Sequence, residues 1–255
     1  MEEKLSNLYD IGCKLLNNSS CPTTFRTFYL ESIIRKAIGM AETLRMLIRV
    51  RDSSLEYVKE DMTITSIARN MIDLCRMTNY FIEPGISTEE RAFREKTWIY
   101  HSSKTLFNIS DKLNDYDLDY QNLFGSRRLF YYQQDLTENV VFKTLNKGDR
   151  KAILKGNKYI LSKRVETRIS PLSINVEQAI YDLFSNQIHS LPISNDYLKV
   201  EGLYSGNEII ELALEILKLY LSILVLNYAR IRRLIKSVLD VDEKEFLVRT
   251  SKDIS

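Results

Sequence analysis

Arg94 and His101 are residues whose types and spacing could support acid–base chemistry. They are seven positions apart, so on a continuous helix they differ in direction by about 20° and lie about 10 Å apart along the axis. Imidazoles transfer protons and guanidinium groups hold negative charge. A cleft or a dimer interface on this face would bring the two groups together. The alternative is a solvent-facing flank on which Glu90 and Arg94 form an ordinary i,i+4 pair.

A second group of polar residues lies on an earlier predicted helix. Arg69, Asp73 and Arg76 fall within about 60° of one another, opposite an apolar face. They form a solvated ladder of charges unless another helix covers them, in which case the buried charges must be paired. The helix that ends near His189 is the natural cover and would bring Ser185 and His189 against Arg69 and Asp73. The alternative for His189 is a residue that only caps a helix end.

The middle of the chain is basic. Between positions 127 and 168 there are eleven Lys and Arg residues against four Asp and Glu residues, a local excess of seven. Five aromatic residues lie among them, namely Phe130, Tyr131, Tyr132, Phe142 and Tyr159. Stacking on aromatic rings combined with neutralisation of phosphates is how proteins bind single-stranded RNA. RNA is therefore one expected partner, and a solvated lysine-rich face is the alternative.

Several classes of site are not expected. The sequence has no Gly-rich phosphate loop, no HExxH motif, no GxSxG motif and no EF-hand pattern. It has only two histidines, and its three cysteines do not form a CxxC pair, so we expect neither a metal nor another cofactor. Free thiols suit a reducing cytoplasm, which is the expected location.

Composition favours an all-α fold. The 255 residues include only 8 Gly and 4 Pro, which leaves few turns and favours long helices. The N-terminus lacks the apolar stretch of a secretory signal. The most apolar region, 212–231, contains charged residues, so we expect no membrane span.

Apolar periodicity predicts the elements. Helices are expected at about 2–17, 24–50, 63–81, from a capping box at 87–90 onward, at 175–189, and from a second capping box at 205–208 to about 239. The fourth of these has a heptad seam that should pack on a neighbour. The last long helix is apolar on nearly all sides and should be buried. We predict one helical domain, 1–255, with an irregular basic insertion at about 110–173. This insertion could include a short β element at 158–169. The chain is expected to end in a polar tail.

Two stretches together resemble a known group of proteins. The first is SIARNMIDLCRMTNYFIEPGISTEERAFREKTWIYHSSKTL at 66–106, and the second is IYDLFSNQIHSLP at 180–192. They resemble a bacterial helical family with an Arg-x3-acid helix and a Tyr-x3-Ser-x3-His helix, which is similar to the HEPN superfamily of four-helix domains. Many HEPN members are metal-independent ribonucleases of toxin–antitoxin and phage-defence systems.

The resemblance implies particular roles for residues. It selects Arg69, Asp73, Ser185 and His189 as a binding group. Arg94, Glu95 and His101 match the longest form of the HEPN nuclease spacing, whereas Phe184 stands where the common RNxxxH form, placed at His189, would have its arginine.

In the nuclease interpretation, His101 acts on the ribose 2′-hydroxyl or the leaving oxygen, and Arg94 stabilises the phosphorane charge. The resemblance thus implies a self-associating protein that binds or cleaves RNA without a metal in a bacterial defence or toxin-type role. The competing expectation is a non-catalytic helical module that binds a protein partner or a small polar ligand.

Overall fold

The fold is built from helices alone in the part of the chain that the computed structural model describes, residues 2–19, 24–53, 61–113, 126–160, 170–188, 206–232 and 237–252. These residues form ten helices and no strand. The predicted all-α class is therefore confirmed. None of the described helices is both long and apolar enough to cross a membrane.

Ten helices follow one another along the described chain. They are α1 (Glu2–Asn17), α2 (Phe25–Ser53), α3 (Asp61–Ile82), α4 (Thr88–Leu113), α5 (Ser126–Glu138), α6 (Val140–Thr144), α7 (Lys147–Leu154), α8 (Ile174–Ile188), α9 (Gly206–Ile231) and α10 (Val241–Thr250). The first three predicted helices agree with α1, α2 and α3 to within about three residues at each end. Helix ends are this variable because the last turn lacks part of its backbone hydrogen bonding.

The chain groups into two compact units. The first consists of Met1–Asn79 together with Arg164–Ser255, and the second is Tyr80–Lys163. The second unit begins earlier along the chain than the expected insertion at about 110–173. The assignment of residues 1–255 to a single domain stays a prediction.

Helix α9 forms the centre of the first unit. It packs against α1, α2 and α10, and most of its side chains are buried, including Leu217, Leu221 and Leu224. The buried Lys218 is neutralised by Glu215 one turn earlier. The expected buried helix is thus present, because a helix that is apolar on all sides must be surrounded by others.

The C-terminal end of this region differs from the prediction. Helix α9 ends at Ile231 rather than near Leu239, and the stretch expected to be a polar tail contains α10. A capping box starts α10: Asp240 accepts a hydrogen bond from the backbone amide of Glu243, whose carboxylate accepts one from the amide of Asp240. This local pattern satisfies otherwise unpaired amides and begins a new helix.

The core of the second unit forms around the heptad seam of α4. Phe93 and Tyr100 lie in this core together with Leu136, Phe142 and Ile153 from α5, α6 and α7. Seven residues after Tyr100, Phe107 is half-buried, and its neighbour Leu106 is 38% exposed. The seam is therefore fully buried in its first two heptads and only partly buried in the third.

The part of the expected irregular segment that the structure describes, chiefly residues 126–160, is largely helical. Asn139 caps α6 and Asn146 caps α7, each by accepting a backbone hydrogen bond at the start of the helix. Residues 158–160 are not in a strand, and the rest of the suggested β element lies outside the described residues. Ser205 of the second predicted capping box also lies outside them.

Candidate functional site

Helices α3 and α8 meet through two rows of polar side chains. Both rows have the spacing of about one helical turn, which places each on a single face. We call the set the arginine–tyrosine cluster; it consists of Arg69, Asp73, Arg76, Glu177, Tyr181 and Ser185. All six residues belong to the first unit.

Arg69 is fixed by neutral partners. Its Nε donates to Oγ of Ser185 at 2.9 Å, and its Nη2 donates to the phenol oxygen of Tyr181 at 2.6 Å. Its Cζ lies 4.6 Å from the centroid of the Tyr181 ring. Within the described part of the chain, no carboxylate lies within ion-pairing distance of Arg69. The cluster thus holds a guanidinium in place without a direct counter-charge.

Arg76 is neutralised. Its Nε and Nη2 both lie 2.8 Å from Oε1 of Glu177, and its Cζ is 4.7 Å from the centroid of the Tyr181 ring. Glu177 is buried, and its other carboxylate oxygen accepts hydrogen bonds from Ser170 and Tyr220. A buried carboxylate needs such partners to offset its lost hydration. The Arg76–Glu177 pair therefore supports the structure of the cluster.

Asp73 completes a chain of hydrogen bonds from Arg69. Arg69 donates to the hydroxyl of Tyr181, and that hydroxyl lies 3.3 Å from Oδ2 of Asp73, to which it donates. Burial raises the pKa of Asp73, although the nearby Arg69 and Arg76 oppose the shift. Burial also raises the pKa of Tyr181, and the charge of Asp73 adds to that effect. The Asp73 side chain remains 42% exposed, so it faces solvent beside Arg69.

Ser185 is not arranged as a nucleophile. Its hydroxyl donates to the backbone oxygen of Tyr181 at 2.8 Å and accepts from Arg69. A serine nucleophile instead donates its proton to a general base. In the described residues, no group of three His, Cys, Asp or Glu side chains is placed to hold a metal ion.

Arg94 lies in a different environment, inside the second unit. It is 3% exposed, and its Nη2 contacts Glu83 at 2.7 Å and Glu90 at 2.5 Å. Its Nε donates to Glu90 and its Nη1 to the backbone oxygen of Tyr80. Burial acts to lower the pKa of Arg94, but the two carboxylates outweigh it and the pKa is raised. Every nitrogen of this guanidinium therefore has a partner within the protein.

His101 has aromatic neighbours. Its ring centroid lies 4.6 Å from that of Tyr159 and 6.3 Å from that of Trp98. Its Nδ1 is buried and has no hydrogen-bond partner. Burial lowers the pKa of His101, and a hydrogen bond with the backbone of Gly156 opposes this shift. The contacts of His101 are not those of Arg94, so a joint catalytic role for the two stays a prediction.

The structure brings together three of the four residues selected for binding. Arg69, Asp73 and Ser185 all lie in the arginine–tyrosine cluster, while His189 lies outside the described residues. Sequence reasoning did not select Tyr181 or Glu177 for the site. Both precede Ser185 at intervals of four residues, and this spacing on one helix face is the signal that would have found them.

Comparison with known proteins identifies no relative: no family model, no curated protein and no solved structure matches this chain. The relation to HEPN families therefore stays a prediction.

Proposed function

We propose that this protein is a non-catalytic helical binding module that holds an anionic group of a ligand at Arg69, in the arginine–tyrosine cluster. The observation that carries the proposal is the state of Arg69. Its guanidinium is fixed by Ser185 and Tyr181, and its charge is not met by an ion pair with any described residue. A carboxylate or phosphate would supply the missing counter-charge.

The chemistry of the guanidinium supports an oxyanion as the bound group. Arginine presents a planar set of donors that matches carboxylate and phosphate oxygens, and such charge-assisted hydrogen bonds are stronger than neutral ones. The hydroxyls of Ser185 and Tyr181 hold Arg69 in one geometry. Less side-chain entropy is then lost on binding than for a mobile surface arginine.

The neighbouring charges make the site selective. Arg76 and Glu177 neutralise each other, which leaves the positive Arg69 beside the negative Asp73. An anion that contacts Arg69 is repelled by ionised Asp73, because like charges at close range disfavour each other. The best ligands are therefore those that engage Arg69 away from Asp73 or offer a donor to its carboxylate.

The test uses the full-length protein labelled with ¹⁵N and titrated with sodium phosphate and, separately, sodium succinate at constant ionic strength. We expect saturable shifts of backbone amides around Arg69 and Ser185. Arg69→Gln should weaken binding by about tenfold or more, the value of a charge-assisted hydrogen bond. Ser185→Ala keeps the charge and should weaken binding less.

Lys36→Gln is the matched control, because Lys36 is an exposed cation in the same unit and its substitution removes the same charge. Titration curves should be unchanged in this variant. Equal weakening in Arg69→Gln and Lys36→Gln would mean that net charge, not this site, attracts the anion, and the proposal would then be wrong. The two anions distinguish a phosphate site from a carboxylate site.

RNA binding by the second unit is the second candidate function, supported by its exposed surface. Residues 126–160 contain eight basic and three acidic residues. Phe130 and Tyr131 are 65% and 66% exposed, although large aromatic side chains are usually mostly buried. On and just after α7, Lys147, Lys151 and Lys155 recur every four residues, and all three are exposed. Proteins bind single-stranded RNA through aromatic rings that stack on its bases and through cations that contact its phosphates.

Binding of a fluorescent oligouridine tests this second candidate. Phe130→Ala with Tyr131→Ala should weaken binding by removing stacking worth about 1–3 kcal/mol per base. Replacing the three lysines by Gln should weaken binding and also reduce its dependence on salt. If the affinity of wild type does not fall with rising salt, phosphate contacts are absent and RNA is not the ligand of this surface.

A further inference from the structure

An open groove lies between α1 and α10 in the first unit. Its cavity volume is about 310 Å³, and six residues line it: Asn7, Asp10, Ile11, Asp242, Glu243 and Phe246. On α1, Asn7 lies three and four residues before Asp10 and Ile11, and on α10, Phe246 lies three and four residues after Glu243 and Asp242. This spacing of about one turn places the side chains of each helix on the face that borders the groove. The groove is separate from the arginine–tyrosine cluster, with which it shares no residue.

The floor of the groove is apolar. Ile11 is buried and Phe246 is half-buried, so part of the ring of Phe246 faces the open space. An aromatic ring at the side of a groove offers a surface for an aliphatic chain and an electron-rich face for a cation. The apolar floor would accept any apolar group, so the charged residues at the rim determine which ligand binds.

The rim carries two carboxylates with no counter-charge. Asp10 and Asp242 are exposed, and neither forms a hydrogen bond or an ion pair with another described residue. Glu243 is different, because it binds Lys14 at 2.8 Å and the backbone of Asp240. The positive end of the α10 dipole offsets part of this negative charge, but two unpaired acids remain across the groove from each other.

We propose that this groove binds an arginine side chain presented by a peptide segment of a partner protein. The methylene stem of the arginine lies on Ile11 and Phe246, and its guanidinium reaches Asp10 and Asp242. Arginine has the required combination of an apolar stem and a charged planar head. The volume is at the lower end for ligand pockets, which suits one long side chain rather than a larger molecule.

Competing ligand classes fit less well. An anion is repelled by the rim. A purely apolar side chain would remove water from Asp10 and Asp242 without compensating their charge, which is unfavourable. A lysine offers one point charge and no planar face to stack on Phe246, so it should bind more weakly than arginine.

The experiment titrates the ¹⁵N-labelled full-length protein with acetyl-Ala-Arg-Ala-amide, and in parallel with the lysine analogue. We expect saturable shifts of the backbone amides of Asn7, Asp10 and Phe246, with the arginine peptide binding more tightly. The double variant Asp10→Asn with Asp242→Asn should weaken binding of the arginine peptide by about tenfold or more. Both residues are exposed and unpaired, so the variant is expected to fold.

Two comparisons make the proposal falsifiable. Asp111→Asn removes an exposed carboxylate elsewhere and should leave the titration unchanged. Phe246→Leu keeps an apolar floor but removes the ring, and it should weaken the arginine peptide more than the lysine peptide. The proposal is overturned if wild type shows no saturable shift, or if the double variant binds as well as wild type.

Discussion

Arg94 and Glu83 form a buried ion pair, with 2.7 Å between Nη2 and Oε2 and both side chains less than a tenth exposed. Removing one partner of a buried pair leaves the other charge without compensation. This relationship makes Arg94 a structural residue of the second unit in the conformation described. A joint catalytic role of Arg94 and His101 stays a prediction.

The first prediction concerns this pair. Glu83→Gln should lower the free energy of unfolding by about 1.5–3 kcal/mol, the value of a hydrogen bond to a charged group, because Arg94 would lose its buried carboxylate partner and keep the more exposed Glu90. Urea denaturation followed by circular dichroism measures the change. Asp135→Asn, which breaks the exposed pair of Asp135 with Lys96, is the control and should change it by less than about 1 kcal/mol. Equal effects in the two variants would contradict the structural role of Arg94.

The second prediction concerns the buried hydrogen bond between Tyr220 and Glu177. Tyr220→Phe and Glu177→Gln should be non-additive, with a coupling energy of about 0.5–3 kcal/mol, because they remove the same interaction. A double-mutant cycle by urea denaturation measures this coupling. The exposed pair of Gln178 and Asp182 should show a coupling of only a few tenths of a kcal/mol. Additive effects in the first cycle would mean that the network is not formed.

The third prediction concerns pH and Asp73. Burial raises the pKa of Asp73 in the folded state, so ionised Asp73 lowers stability at neutral pH. This loss is recovered as pH falls through the folded-state pKa towards the unfolded value. Wild type should therefore gain stability relative to Asp73→Asn over that acidic range. The measurement is urea denaturation of both proteins at several pH values; a constant difference between them would contradict the raised pKa.

The same titration should alter ligand binding. Protonation of Asp73 removes a negative charge beside Arg69, so the affinity of wild type for phosphate, relative to that of Asp73→Asn, should rise as pH falls through this range. The affinity of Asp73→Asn should depend less on pH than that of wild type. A pH profile that is identical in both proteins would separate Asp73 from the anion site.

The fourth prediction concerns His101. Burial lowers the pKa of His101 in the folded state. At pH values between this lowered pKa and the pKa of the unfolded state, the unfolded chain therefore binds more protons than the folded protein. Stability should therefore fall as pH decreases from about 6.5, the ordinary value for histidine. His101→Gln should remove this part of the pH dependence. The chain has one other histidine, His189, so His189→Gln is the control; if that variant alone flattens the profile, the prediction for His101 is wrong.

Local physical chemistry explains what could be predicted without the structure. Helical periodicity placed Arg69, Asp73 and Arg76 on one face and Ser185 on the face of another helix. Burial of that face by α8 required polar partners, and Ser185 is one of them. The all-α class followed from the low content of Gly and Pro and from the 3.6-residue pattern of apolar residues.

The amino-acid sequence by itself determined the first three helices and the faces that they present, because these depend on neighbours within about one turn. Tertiary structure decided the partners. Arg94 illustrates this point: its pairing with Glu90 follows from the i,i+4 spacing, but its buried pairing with Glu83 does not. A carboxylate has several acceptable partners of similar energy, and only packing selects among them. The same reason placed Tyr181 between two arginines and left Asp10 and Asp242, at the groove between α1 and α10, without an ion pair to any described residue.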